Sequence, residues 1–177
     1  QYYLQKSENF GNTFSKKQIL FKVVFSFSLL VFLIFFFKAW QNASSLIGFI
    51  GAYSIGVFLL YFDEQFLYKF YTEKIDLSLQ NDSHFPVLAS RNFLFLLILP
   101  FLSIFVFTSS GSILGIALIL AINFYLLIEM WQLRDEFLLF KERFLTTLKI
   151  PVTAQFVHKI CWFVLAYFLF LLIVLIL

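Results

Sequence analysis

The stretch SILGIALILAINFYLLIEMW, residues 112–131, decides the fold. It has the length, about 20 residues, that a helix needs to cross the hydrocarbon core of a bilayer. Its one amide side chain is Asn123 and its one charged side chain is Glu129. Four further stretches read the same way, at residues 19–37, 46–62, 93–109 and 156–177. The third is short by apolar count, and Thr108 and Ser109 extend it at tolerable cost.

Composition agrees with that reading. Hydrophobic residues make up 62% of the 177-residue chain and charged residues 13%, against about 45–50% and about 25% in soluble domains. A soluble fold of this size leaves too much surface exposed to hide so much apolar material; lipid can hide it. The expected fold class is all-α, a polytopic bundle of five spanning helices forming a single transmembrane domain over residues 1–177.

The connections divide into two kinds. Residues 38–45 and 108–112 are short and polar, so the first and second spans, and the third and fourth, pair as antiparallel hairpins. Residues 63–91 and 132–155 are longer and carry nearly all the charge. Asn81-Asp82-Ser83 and Pro86 supply turn chemistry in the first of these, and Pro151 stops any helix begun in the second.

Cytoplasmic flanks retain positive charge, so Lys and Arg placement sets orientation. Lys6, Lys16, Lys17 and Lys22 precede or open the first span, with Lys22 close enough to the end to snorkel outward. Lys69, Lys74 and Arg91 lie between the second and third spans. Arg134, Lys141, Arg143, Lys149 and Lys159 lie between the fourth and fifth or just within the fifth. Of the 13 basic residues, all but Lys38 then fall on one side. The N-terminus is expected in the cytoplasm and the C-terminus outside. The expected location is a bacterial inner membrane or an equivalent energy-transducing membrane. A cleaved signal peptide is disfavoured, because the leader before the first apolar run is long and Gln41 and Ala43 make no small-x-small site. The chain opens on Gln1 and closes on Leu177 within an apolar run, which reads as a processed chain or part of a longer one.

Residues 134–149 form an expected amphipathic helix, with Phe137, Phe140, Phe144 and Leu148 at spacings of three and four, opposite Glu136 and Arg143. Two placements fit: flat in the headgroup region, or across the cytoplasmic end of the bundle. The second span is expected to continue into residues 62–75.

Several residues carry candidate function. Ser44, Gly48, Ala52 and Gly56 recur every fourth position and form one flat stripe, the pattern that lets helices approach closely in lipid. The stripe suits a partner interface or, more simply, packing against another helix of the same chain. Gly111, Gly115, Ala117 and Ala121 give the fourth span a similar character, so the second and fourth are expected to pack together. Asn123 and Glu129 form a possible intramembrane polar site, since an ionisable residue in hydrocarbon is costly and therefore a functional candidate. Glu129 would either face an aqueous cavity, binding a cation or relaying a proton, or pair with Lys159 or another base at the rim. Pro100 is expected to kink the third span and free a carbonyl that Ser103 or a neighbour satisfies.

Negative evidence narrows the choice. Cys161 is the one cysteine, so no internal disulfide forms. His84 and His158 with Asp63, Glu64 and Asp135 match no metal spacing, and no metal or other cofactor is expected. No phosphate loop, HExxH or nucleophile elbow appears. No basic-aromatic pattern points to nucleic acid. Asn42-Ala43-Ser44 fits a glycosylation sequon but abuts the second span.

The expected partners are the lipid bilayer and a second copy or other membrane subunits. The expected function is a non-enzymatic scaffold or accessory subunit of a membrane complex. The alternative is a small transporter or channel subunit working as an oligomer. A third reading, a headgroup enzyme using Asp63, Glu64, His84, Asp135 or His158, ranks last.

Overall fold

The computed structural model describes residues 16–36, 43–63, 89–110, 112–145 and 153–176. Among these residues the fold is helical, with no strands. Helix α1 runs Lys16–Phe36 and α2 Ala43–Phe62. A 3-10 turn, Ala89–Arg91, leads into α3, Phe93–Phe105, which ends in a π turn, Val106–Ser110. Then follow α4, Ile113–Leu133, the short α5, Phe137–Phe144, and α6, Ala154–Ile176.

Among the described residues, three helices are long and apolar enough to cross a membrane: Ser44–Phe62, Ile113–Leu133 and Ala154–Leu175. Shorter apolar helices cover Leu20–Ile34 and Phe93–Ser109. The long helices differ in position. Two-thirds of the apolar stretch of α4 (67%) is buried, against 28% for α2 and 22% for α6. Helix α4 is therefore the axis, and the others present one face to it and one outward.

Each face follows from residue size and polarity. The most extensive pairing is α2 on α4, and small residues make it possible. A Cβ built on Gly56 would lie 2.8 Å from the Ala121 Cβ and 2.9 Å from the Leu118 carbonyl oxygen. Only a hydrogen fits there, so the two backbones touch, the arrangement that stabilises helix pairs where no hydrophobic force separates protein from solvent. On α1, Lys22, Ser26, Leu30 and Leu33 are buried while Val24, Phe32 and their neighbours are exposed. Their spacing of four, four and three defines one inward face. The hydroxyl of Tyr53 donates to the Ser26 carbonyl at 2.9 Å and ties α2 to α1.

Helix α3 starts where the Asn92 side chain accepts from the Leu94 amide, a local N-cap. Pro100 sits inside it and removes the donor that the Leu96 carbonyl would otherwise receive. The expected rescue by Ser103 takes another form. The Ser103 hydroxyl reaches four residues back, to the Leu99 carbonyl at 2.7 Å, as serine in a helix does. The Pro100 carbonyl itself accepts from Tyr167 of α6 at 3.1 Å.

Helix α5 is shorter than the expected amphipathic segment 134–149. The chain turns at Arg134–Glu136, with the Glu136 amide on the Leu133 carbonyl at 3.0 Å, and folds back against α4 and α6. Phe140, Phe144 and Leu145 are buried. The apolar face thus covers the end of the bundle, the second of the two placements considered. Residues 146–149, the extension 64–75, the turn residues 81–86 and Asn42 lie outside the described residues.

Candidate functional site: a buried ion-pair cluster

Glu129 lies in the last turn and a half of α4, the helix with least exposure, and its side chain is completely out of solvent. Burying an ion costs several kcal/mol, roughly, unless partners satisfy it. Its partners arrive from three other elements. Arg91, from the turn before α3, places Nη2 2.9 Å from Oε2 and Nε 3.2 Å from Oε1. Arg143 of α5 donates its Nε–H to Oε1. Lys22 of α1 brings Nζ to 3.6 Å from Oε2, over the Tyr125 ring at 5.3 Å from its centroid.

A second carboxylate extends the cluster. Asp63, at the end of α2, accepts from Arg91 Nη1 at 3.1 Å through Oδ2. The Ser90 amide donates to the same oxygen at 3.2 Å, and the Ser90 hydroxyl contacts it too. Arg91 Nη1 also reaches the Ser90 hydroxyl at 2.9 Å. One guanidinium therefore bridges both carboxylates, using its planar fork of donors as lysine could not. Among the described residues, Lys22, Arg91 and Arg143 thus gather around the two carboxylates of Glu129 and Asp63.

Chemically, this arrangement ties elements together. Both oxygens of Glu129 are engaged by cations, so the carboxylate presents no open face to a metal ion or a travelling proton. The sequence nominated Lys159 or another base as the partner of Glu129. Lys159 is exposed, and the bases are Lys22, Arg91 and Arg143. Two expectations are corrected with it. Lys22 turns inward instead of snorkelling, held by the buried Glu129 carboxylate at 3.6 Å. Arg143 leaves the polar face assigned to it and enters the cluster.

Asn123 lies further along α4, also buried. Its amide donates to the Ser103 hydroxyl of α3 at 2.9 Å and to the Ile119 carbonyl at 2.9 Å. Asn123 and Glu129 thus occupy separate networks along the same helix. In the small-residue stripe, Gly48 faces Leu114 and Gly56 faces Leu118 and Ala121, Ala52 is buried, and Ser44 at the end is exposed. His158 is exposed, and Asp135 is exposed beside Arg134 at 3.3 Å. His84 and Glu64 lie outside the described residues. Among the described residues, no group of three His, Cys, Asp or Glu side chains is placed to hold a metal. Cys161 is buried, its thiol 3.5 Å from the Met130 carbonyl.

Sequence reasoning missed Lys22, Arg91, Asp63 and Arg143 as one cluster. A signal existed in α1, where Lys22 and Ser26 share the face of Leu30 and Leu33. No spacing rule connects Arg91 or Arg143 to Glu129, since their meeting depends on how α3 and α5 fold over α4. No protein-family model, curated protein or solved structure matches this chain.

Proposed function

We propose that the chain is a five-span membrane protein, N-terminus in the cytoplasm, working as a non-enzymatic scaffold or accessory subunit of a membrane complex. The five spans are supported by the apolar outer faces of the two shorter helices, where Phe32 in α1 and Phe101 in α3 are more than half exposed. Such side chains belong in lipid, because soluble surfaces rarely gather large apolar patches.

The observation that carries the scaffold reading is the closure of Glu129. An intramembrane carboxylate used for transport needs access to water or to an ion. Here three cations from three elements occupy that role, which favours holding helices together over moving a solute. The alternative, a transporter or channel subunit working as an oligomer, rested on Asn123, Glu129 and Pro100. Asn123 bonds to Ser103, and the Pro100 carbonyl to Tyr167, so these groups also favour packing.

The test is the mass of complexes that the full chain forms when extracted with its native lipids. Discrete complexes containing other proteins are expected. A homo-oligomer without other proteins would overturn the accessory reading and put transport first, with Glu129→Gln as the flux variant to measure.

A further inference from the structure

At one end of the bundle, three helices change from polar to apolar at the same level. On α6, Gln155, His158 and Lys159 are exposed, with Phe156 among them, and beyond Trp162 the large exposed side chains include Phe163, Leu169 and Phe170. On α4, Trp131 is followed by Arg134 and the exposed Asp135 and Glu136. On α3, Arg91 and Asn92 precede the exposed Leu94, Leu97 and Ile98. Contacts put these three boundaries side by side. The Trp131 and Trp162 rings meet edge to face with centroids 5.4 Å apart, and Cys161 Sγ lies 3.5 Å from the Met130 carbonyl. Arg91 reaches Glu129, two residues before Trp131.

The chemistry of the tryptophan pair says what lies at that level. An indole joins a large apolar ring to one N–H donor, and tryptophan accordingly gathers where hydrocarbon meets headgroups. Trp162 is 61% exposed, so its ring is open to the surroundings. The Arg134 guanidinium covers the Trp131 ring at 4.6 Å from its centroid and pairs with Asp135, itself largely exposed. An exposed ion pair stacked on an indole fits the edge of a membrane and not its hydrocarbon core. The other end of α4 gives a check by length. Ser112 is its N-cap and, with Thr108 and Ser109, is exposed. From Ser112 to Trp131 the helix rises about 28 Å, close to the roughly 30 Å of a bilayer's hydrocarbon.

We propose that the Trp131–Trp162 pair is an interfacial anchor whose partner is the headgroup layer of the bilayer, and that Asn92, Trp131 and Trp162 mark one membrane–water boundary. By helix rise, Glu129 then lies about 3 Å inside that boundary and Asn123 about 12 Å inside it. The ion-pair cluster is therefore a feature of the membrane's edge, and the Asn123–Ser103 bond lies near its middle. The placement rests on the membrane reading of the chain and holds for either orientation.

The experiment measures depth by fluorescence quenching, with the full chain reconstituted into phosphatidylcholine vesicles. Trp40→Phe leaves Trp131 and Trp162 as the two indoles and keeps the ring pair intact. The lipid carries bromine on its acyl chains, either near the headgroup or near the chain ends. Phe170→Trp, added to the same chain, puts a further indole at a half-exposed position, about 12 Å deeper than Trp162, and its quenching is read by difference. The pair is expected to be quenched severalfold more by shallow bromine than by deep bromine, and the added indole in the reverse order. Equal or stronger quenching of the pair by deep bromine would overturn the anchor, while deep quenching of the added indole upholds the membrane reading. An unquenched pair beside a quenched added indole would overturn it in favour of a protein partner over the tryptophans. No quenching of either would overturn the anchor together with the membrane reading.

Discussion

Arg91 and Glu129 meet with both side chains fully buried, Nη2 lying 2.9 Å from Oε2, although one belongs to a turn and the other to the central helix. Glu129→Gln should therefore destabilise the fold, because it removes the charge that Lys22, Arg91 and Arg143 share. Breaking a buried pair from one side costs about 3–5 kcal/mol, and replacing both partners by apolar residues costs much less. Thermal unfolding in detergent should show a large loss for Glu129→Gln. Equal stability of wild type and Glu129→Gln would remove the structural role assigned to the cluster.

Gly56 and Gly51 sit on one helix and should respond in opposite ways to the same change. Gly56→Ala drives a methyl into the Ala121 Cβ and the Leu118 carbonyl, whereas nothing lies within 4 Å of a Cβ at Gly51. Overpacking costs about 1–3 kcal/mol, so Gly56→Ala should lower the unfolding temperature. Gly51→Ala should leave it unchanged or raise it slightly, by about 0.5–1 kcal/mol of helix propensity. Similar losses at both positions would mean that α2 does not pack on α4 through Gly56.

The Asn123–Ser103 bond joins α4 to α3 and is measurable as a coupling. A double-mutant cycle of Asn123→Leu and Ser103→Ala should give roughly 0.6 kcal/mol, and at most about 2, the range found for hydrogen bonds between membrane helices. Additive single-variant losses would show that the two side chains do not act on each other.

That α4 crosses the membrane is tested by labelling from one side. Replacing the buried Cys161 by serine gives a background free of thiols, into which single cysteines can be placed at Ser109 or Gln155, both exposed. An impermeant thiol reagent added outside intact cells should label Ser109→Cys and spare Gln155→Cys. Labelling of both from outside would mean that α4 does not separate the two positions across a membrane.

Much of the helical layout was legible in the sequence because each apolar run ends at a charge or a turn. The glycine stripe of α2 was visible for the same kind of reason, since its spacing is local. The cluster around Glu129 was not. Lys22 was read by its distance from a helix end, when its helix face was the better guide. Arg91 and Arg143 looked like loop and surface charges, because nothing within their own segments reveals a carboxylate on a third one.

The order of synthesis gives the cluster a further consequence. Lys22 leaves the ribosome long before Glu129, and Arg143 only after it. The Lys22–Glu129 contact forms only once the central helix has been made. The first helix meets the second through Tyr53 and Ser26, and the fourth helix completes its docking.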